Sequence, residues 1–158
     1  ISAGNQSNLA AAADLSEATL ETILTNVQKI KDDRNILIGA SAKSLHIPVD
    51  SWAIADRIMS SPGNTQTSEL QANPNTNAIN AIRHLGMLPD GYYINRRFTD
   101  TDSYFVKTDV PNGAKMFNRT PLQTKMEPDF DTGNLRFKAR ERYSFGVSDW
   151  RAFFGSAG

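Results

Sequence analysis

Four cationic side chains, Arg136, Lys138, Arg140 and Arg142, recur at every second position near the C-terminal end of the chain. In an extended strand side chains alternate between faces, so this spacing sets all four on one face, about 6.7 Å apart. A row of guanidinium and ammonium groups does anion chemistry. It neutralises the phosphates of a nucleic acid or the carboxylates of an adjacent protein surface. The plainer alternative is a solvated sheet face, where lysine and arginine also discourage edge pairing.

Other chemistry is poorly supported. Asp129, Asp131 and Asn134 lie close together, as do Asp100 and Asp102. A calcium loop needs alternating oxygens and a glycine at its sixth position. After Asp129, Gly133 arrives one position early and no spaced glutamate follows. Turn-forming aspartates are the better reading. Ser144, His84 and an acid could be imagined as a triad, but no Gly-x-Ser-x-Gly elbow is present and Ser144 sits inside the alternating stretch. His46 and His84 have no metal-ligand spacing, and the chain has no cysteine. Neither a phosphate-cradling Gly-Lys-Ser/Thr loop nor a dinucleotide glycine fingerprint occurs. No catalytic, metal or cofactor-binding residue is therefore expected, and the chain is read as a non-enzyme that needs no cofactor.

The cations belong to a longer pattern. From Asn134 to Val147, Leu135, Phe137, Ala139, Glu141, Tyr143, Phe145 and Val147 alternate with the basic residues and Ser144. Such a strand is about 45 Å long. Typical strands run about 5–6 residues. A ribbon of that length overhangs what a compact ball of this size covers, and an overhanging ribbon usually needs a partner. Asp131-Thr132-Gly133 supplies its starting turn, and Pro121 to Met126 is the expected preceding strand.

Upstream elements read as follows. Residues 1–13 are small and polar, a linker or a frayed helix start. Asp14 and Glu17 have capping-box spacing ahead of a helix over about 15–32, with Leu20, Ile23, Leu24, Val27 and Ile30 as its stripe. Ile36-Leu37-Ile38 is a strand or a buried loop. A short strand from Leu45 to Val49 stops near Pro48, and Asp50 caps a second helix over about 51–60. Trp52 is expected in the core. Residues 61–77 form a long polar loop, of a length that is usually functional or flexible. Residues 78–85 are a helical turn or a strand. Tyr92 to Ile94 and Ser103 to Val106 are expected to pair across Thr99-Asp100-Thr101-Asp102, and Asn112-Gly113 marks another turn. Trp150, Arg151, Phe153 and Phe154 cluster at the end, as core filling by a docked tail or as an anchor at an interface. Helices first and strands after argue α+β with two lobes.

Composition narrows the class. Apolar content of 39% and charged content of 22% fit an ordinary globular chain of 158 residues. Seventeen basic residues balance seventeen acidic ones. Neutrality disfavours a general nucleic-acid binder and hints at self-association. No apolar run approaches the roughly 20 residues of a membrane span, and no signal peptide is visible, so no membrane partner is expected. The start at Ile1 reads as a fragment or processed product with an upstream half missing.

The stretch Thr99 to Asp109, followed by Pro111-Asn112-Gly113, resembles the late part of tailed-bacteriophage major capsid (major head) proteins. So do Glu127-Pro128-Asp129-Phe130-Asp131-Thr132-Gly133-Asn134, Arg140-Glu141-Arg142-Tyr143-Ser144-Phe145-Gly146, and the ending Ser148 to Gly155, with weaker similarity over 44–60. The resemblance covers most of the chain and rests on the order and spacing of these segments. It implies the C-terminal half of a Hong Kong 97-like capsid fold: an axial lobe over 14–115, long strands of the peripheral lobe over 116–147, and a tail over 148–158 that returns to the axial lobe. It implies self-assembly into pentamers and hexamers of an icosahedral shell around double-stranded DNA. The partners are copies of the chain, other virion proteins and, non-specifically, packaged DNA; the location is the virion, after assembly in the host cytoplasm. Arg136, Lys138, Arg140, Arg142, Trp150, Arg151, Phe153 and Phe154 become candidates for subunit interfaces, with inter-subunit ion pairs the favoured role of the cations. The alternatives are a nanocompartment shell of the same fold and, from another class, a monomeric α+β binding module or enzyme.

Overall fold

The computed structural model describes residues 8–63 and 79–158. Most of the polar loop expected over 61–77 lies outside the described residues. The protein is α+β, with a four-stranded sheet, a separate two-stranded sheet and three helices among the described residues. It divides into two compact units, 1–111 with 150–158, and 112–149.

In the first unit α1 (Glu17–Gln28) buries Leu20, Ile23, Leu24 and Val27, the stripe expected from helical spacing. Its cap is not Asp14. Ser16 is the N-cap: its hydroxyl accepts the Thr19 amide at 3.2 Å, and the Thr19 hydroxyl accepts the Ser16 amide at 2.9 Å. Hydroxyl pairs satisfy the free amides of a first turn as well as an Asp–Glu pair does. The helix also ends at Gln28, short of 32, because the next residues are recruited into a tight turn. Ile38 N–H donates to Ile30 O, Lys31 bridges Leu37, and Asp32 Oδ1 accepts the amides of Arg34 and Ile36. Asn35 takes positive φ at the tip. Ile36, Leu37 and Ile38 are thus exposed residues of this turn, neither a strand nor a buried loop.

The sheet order is β2 (Tyr92–Ile94), β1 (Ala42–Ile47), β3 (Tyr104–Thr108), β6 (Phe153–Ser156). β2 and β3 are not partners. β1 lies between them, parallel to β2 and antiparallel to β3. The nine residues between β2 and β3 are ample for that crossing, so the Thr99 to Asp102 stretch is a connection and not a hairpin turn. Asp100 Oδ1 accepts the Asp102 amide there, a local aspartate turn. β6 pairs with β3, which seats the tail on the sheet. The outer edge of β6 is covered in turn: Gly155 N–H donates to Asn8 O, Ala10 N–H donates to Gly155 O, and the buried Asn8 amide donates to the carbonyls of Trp150 and Phe153. Residues 8–10 are therefore tied to the sheet and are not a free linker.

α2 (Trp52–Ser60) follows a 3-10 turn, Val49–Ser51, and its N-terminus has no side-chain cap from Asp50. Ser51, Ala55 and Ile58, at i, i+4 and i+7, form the buried face. Trp52 sits one position round from that face and is 54% exposed, so it is not a core residue. Within the ambiguous 78–85 segment α3 (Ala81–His84) is a helical turn, while Ile79 bridges Gly63 and residue 78 lies outside the described residues. Buried Asn80 caps it, accepting the Arg83 amide and donating to Ile58 O. The core fills the space between α1, α2, α3 and the sheet, with Leu20, Leu45, Ile47, Tyr104 and Val106 almost fully enclosed.

The second unit is one antiparallel ribbon, β4 (Ala114–Pro128) with β5 (Leu135–Val147). β5 matches the expected alternating strand closely. β4 is far longer than the expected Pro121–Met126. It is 15 residues against 13, and register shifts at Asn118/Thr120 and Thr120/Gln123 absorb the two extra residues. A pair of bulges restores parity, so the same alternate positions of β4 share one face on both sides of the irregularity. At the far turn Asp129 O accepts the Gly133 amide, with Gly133 at φ 69.

Candidate functional site

Strict alternation normally means that one face of a strand is buried. Here no residue from 112 to 149 is buried. The register carries Ala114 opposite Val147, Met116 opposite Phe145, Met126 opposite Phe137 and Pro128 opposite Leu135, all on the face that also bears Tyr143. Met116, Met126, Leu135, Phe137, Tyr143, Phe145 and Val147 are each more than half exposed. Tyr143 and Phe145 touch edge to face at 5.4 Å between ring centroids. Glu141 is the one acid on that face of β5.

The opposite face carries the cations. Arg136 stands across from Glu127 and binds Asp129, at 2.7 Å; Lys138 stands across from Lys125, Arg140 from Gln123 and Arg142 from Thr120. Lys125 is paired with Glu127 on its own strand. Lys138, Arg140 and Arg142 have no ion pair among the described residues. A shallow cleft of about 470 Å³ opens beside Gln123, Lys125, Lys138 and Arg140. Sequence reading found the β5 row but missed its β4 partners. Met116, Leu122 and Met126 share parity, a signal weakened by Asn118, Thr124 and the bulges.

Each sheet edge of the ribbon is open, since β4 and β5 pair only with one another among the described residues. The bulged β4 edge is poorly shaped for pairing, whereas β5 is regular throughout.

The tail candidates lie in the first unit. Phe154 is buried in the core, Trp150 is half-buried with its ring 6.4 Å from Phe154, and Phe153 is half-buried. The Arg151 guanidinium lies 5.1 Å over the Trp150 ring and 3.0 Å from Asp33. A cavity of about 620 Å³ runs beside Trp150, Phe154, Ile23 and Ile30.

Catalytic geometry is sparse. Ser44 Oγ and His46 Nε2 are 3.1 Å apart on β1, but Ser44 is 2% exposed, which leaves no room for a substrate at its oxygen. His46 stacks on Tyr93, and burial together with the Lys107 charge lowers its pKa below the usual 6.5, favouring the neutral ring. Among the described residues no group of three or more His, Asp or Glu side chains could hold a metal ion. No helix among them is long and apolar enough to cross a membrane. Comparison with protein-family models found no match, and comparison with curated proteins found none either.

Proposed function

We propose that the chain is a structural subunit of an icosahedral bacteriophage head, a shell of many copies that encloses double-stranded DNA. In this reading the fold is Hong Kong 97-like, the four-stranded sheet and its helices form the axial lobe, and the ribbon supplies the long strands of the peripheral lobe. The resemblance of residues 99–155 to major head proteins supports it.

One observation carries the reading: a ribbon with seven large apolar side chains on one face and nothing buried on either. An isolated two-stranded hairpin is marginal in water. Taking roughly 200 Å² for each large side chain, the exposed apolar face is about 900 Å², comparable with the roughly 800 Å² per partner of a standard interface. A surface of that size belongs against another surface. In a shell the same contact repeats at every symmetry-related position, so modest affinity per contact suffices. The mechanism is assembly.

Electron microscopy of the full-length protein tests the proposal. Closed particles of uniform size are expected, filled with DNA when recovered from infected cells. Enzyme-filled particles would mean a nanocompartment shell. A protein that stays monomeric at high concentration by light scattering would overturn both.

A further inference from the structure

We infer that the cationic face of the ribbon is a binding surface for the phosphate backbone of duplex DNA; the choice of DNA as the polyanion rests on the shell reading above. Residues 112–149 hold seven basic and five acidic residues, a net of +2 in a chain whose total is zero. The acids do not offset the row. Of the five acids, Glu127 is taken by Lys125 and Asp129 by Arg136, Glu141 belongs to the apolar face, and Asp131 and Asp149 lie beyond the two ends of β5. Lys138, Arg140 and Arg142 are left exposed at intervals of about 6.7 Å.

Two features point to an anion lying along this face. First, Lys125 and Lys138 face each other directly across the strands. Lys125 is already paired with Glu127, so Lys138 is the uncompensated member of the two, open to an anion laid along the face. Second, Arg140 and Gln123 are cross-strand neighbours beside the same cleft, which combines a planar charged fork with a neutral amide, both able to donate to phosphate oxygens.

A protein partner fits less well. It would need carboxylates repeating at the same interval. In this chain the one alternating acidic run of three, Glu127, Asp129 and Asp131, has its first two members already paired. A two-stranded ribbon also has the dimensions that a duplex groove admits, and backbone contact needs no base readout.

The test is binding of the full chain to a fluorescent duplex of arbitrary sequence across a salt series. Each lost phosphate contact removes about 0.9 from the slope of log affinity against log salt. The triple variant Lys138→Ala, Arg140→Ala, Arg142→Ala is expected to bind about tenfold or more weakly, with a slope shallower by about 2.7, while its circular dichroism stays that of the parent. Single Arg140→Lys keeps the slope, which separates charge loss from a folding defect. A parent chain with no measurable duplex affinity overturns the inference, as does a triple variant with an unchanged slope. A triple variant that binds DNA normally but forms no particles also overturns it, by assigning the row to a neighbouring copy. Particles that form normally while DNA binding fails leave the shell reading standing and remove only this inference.

Discussion

Replacing Phe137 and Phe145 together by aspartate is expected to abolish particle formation while leaving a folded first unit. Both rings lie on the apolar face of β5, 61% and 73% exposed, with Met126 and Met116 across from them. Burying a large apolar side chain against a partner is worth about 2 kcal/mol, and two are lost here. About 4 kcal/mol per contact is roughly a thousandfold in the concentration needed for association, before the cost of burying two carboxylates is added. Particle yield by sedimentation and electron microscopy reads the effect. Ser144→Ala, on the other face, is expected to leave the yield unchanged. Normal particles from the double variant would show that the apolar face is not an interface.

The second large effect is on stability. Leu45 lies at the centre of β1, fully enclosed, in register with Tyr92 on one side and Val106 on the other. Leu45→Ala is expected to destabilise the first unit by about 2–5 kcal/mol, the transfer loss plus the cavity left in a packed sheet. Against a total of about 5–15 kcal/mol for a domain, that brings the unit close to unfolding at body temperature. Urea unfolding of the unassembled protein measures it. A change under about 1 kcal/mol would show that helices and sheet are not packed through this position.

The sequence patterns and the structure agree where a single period dominates. The stripe of α1 and the alternation of β5 each place residues on one face without help from distant parts of the chain. Choices between equivalent partners were not legible. Ser16 with Thr19 and Asp14 with Glu17 both offer a cap, and only the final backbone path selects the first. β2 and β3 look like a hairpin because both are apolar and close in sequence, but the strand between them comes from residues 42–47, which local reading does not supply. Trp52, beside Pro48, reads as a core residue, whereas the buried face of α2 passes through Ser51, Ala55 and Ile58.

The candidate site was half legible for the same reason. β5 shows its cations and its apolar positions in the residue order itself. The cross-strand set, Lys125 against Lys138 and Gln123 against Arg140, depends on two bulges in β4 that shift the register. Alternation also predicts a buried face, and it carries no information on what does the burying. In this chain both faces are open, which moves the expected partner from inside the subunit to outside it.

The central claim is that the hydrophobic side of the ribbon is covered when copies assemble. The protein has no cysteine, so a single Val147→Cys substitution, small in its change of shape, introduces one reporter thiol on that side. Its labelling by a maleimide is expected to be fast in unassembled subunits and at least about tenfold slower in intact particles, returning to the fast rate when particles are dissociated. Equal rates in subunits and particles would contradict the account.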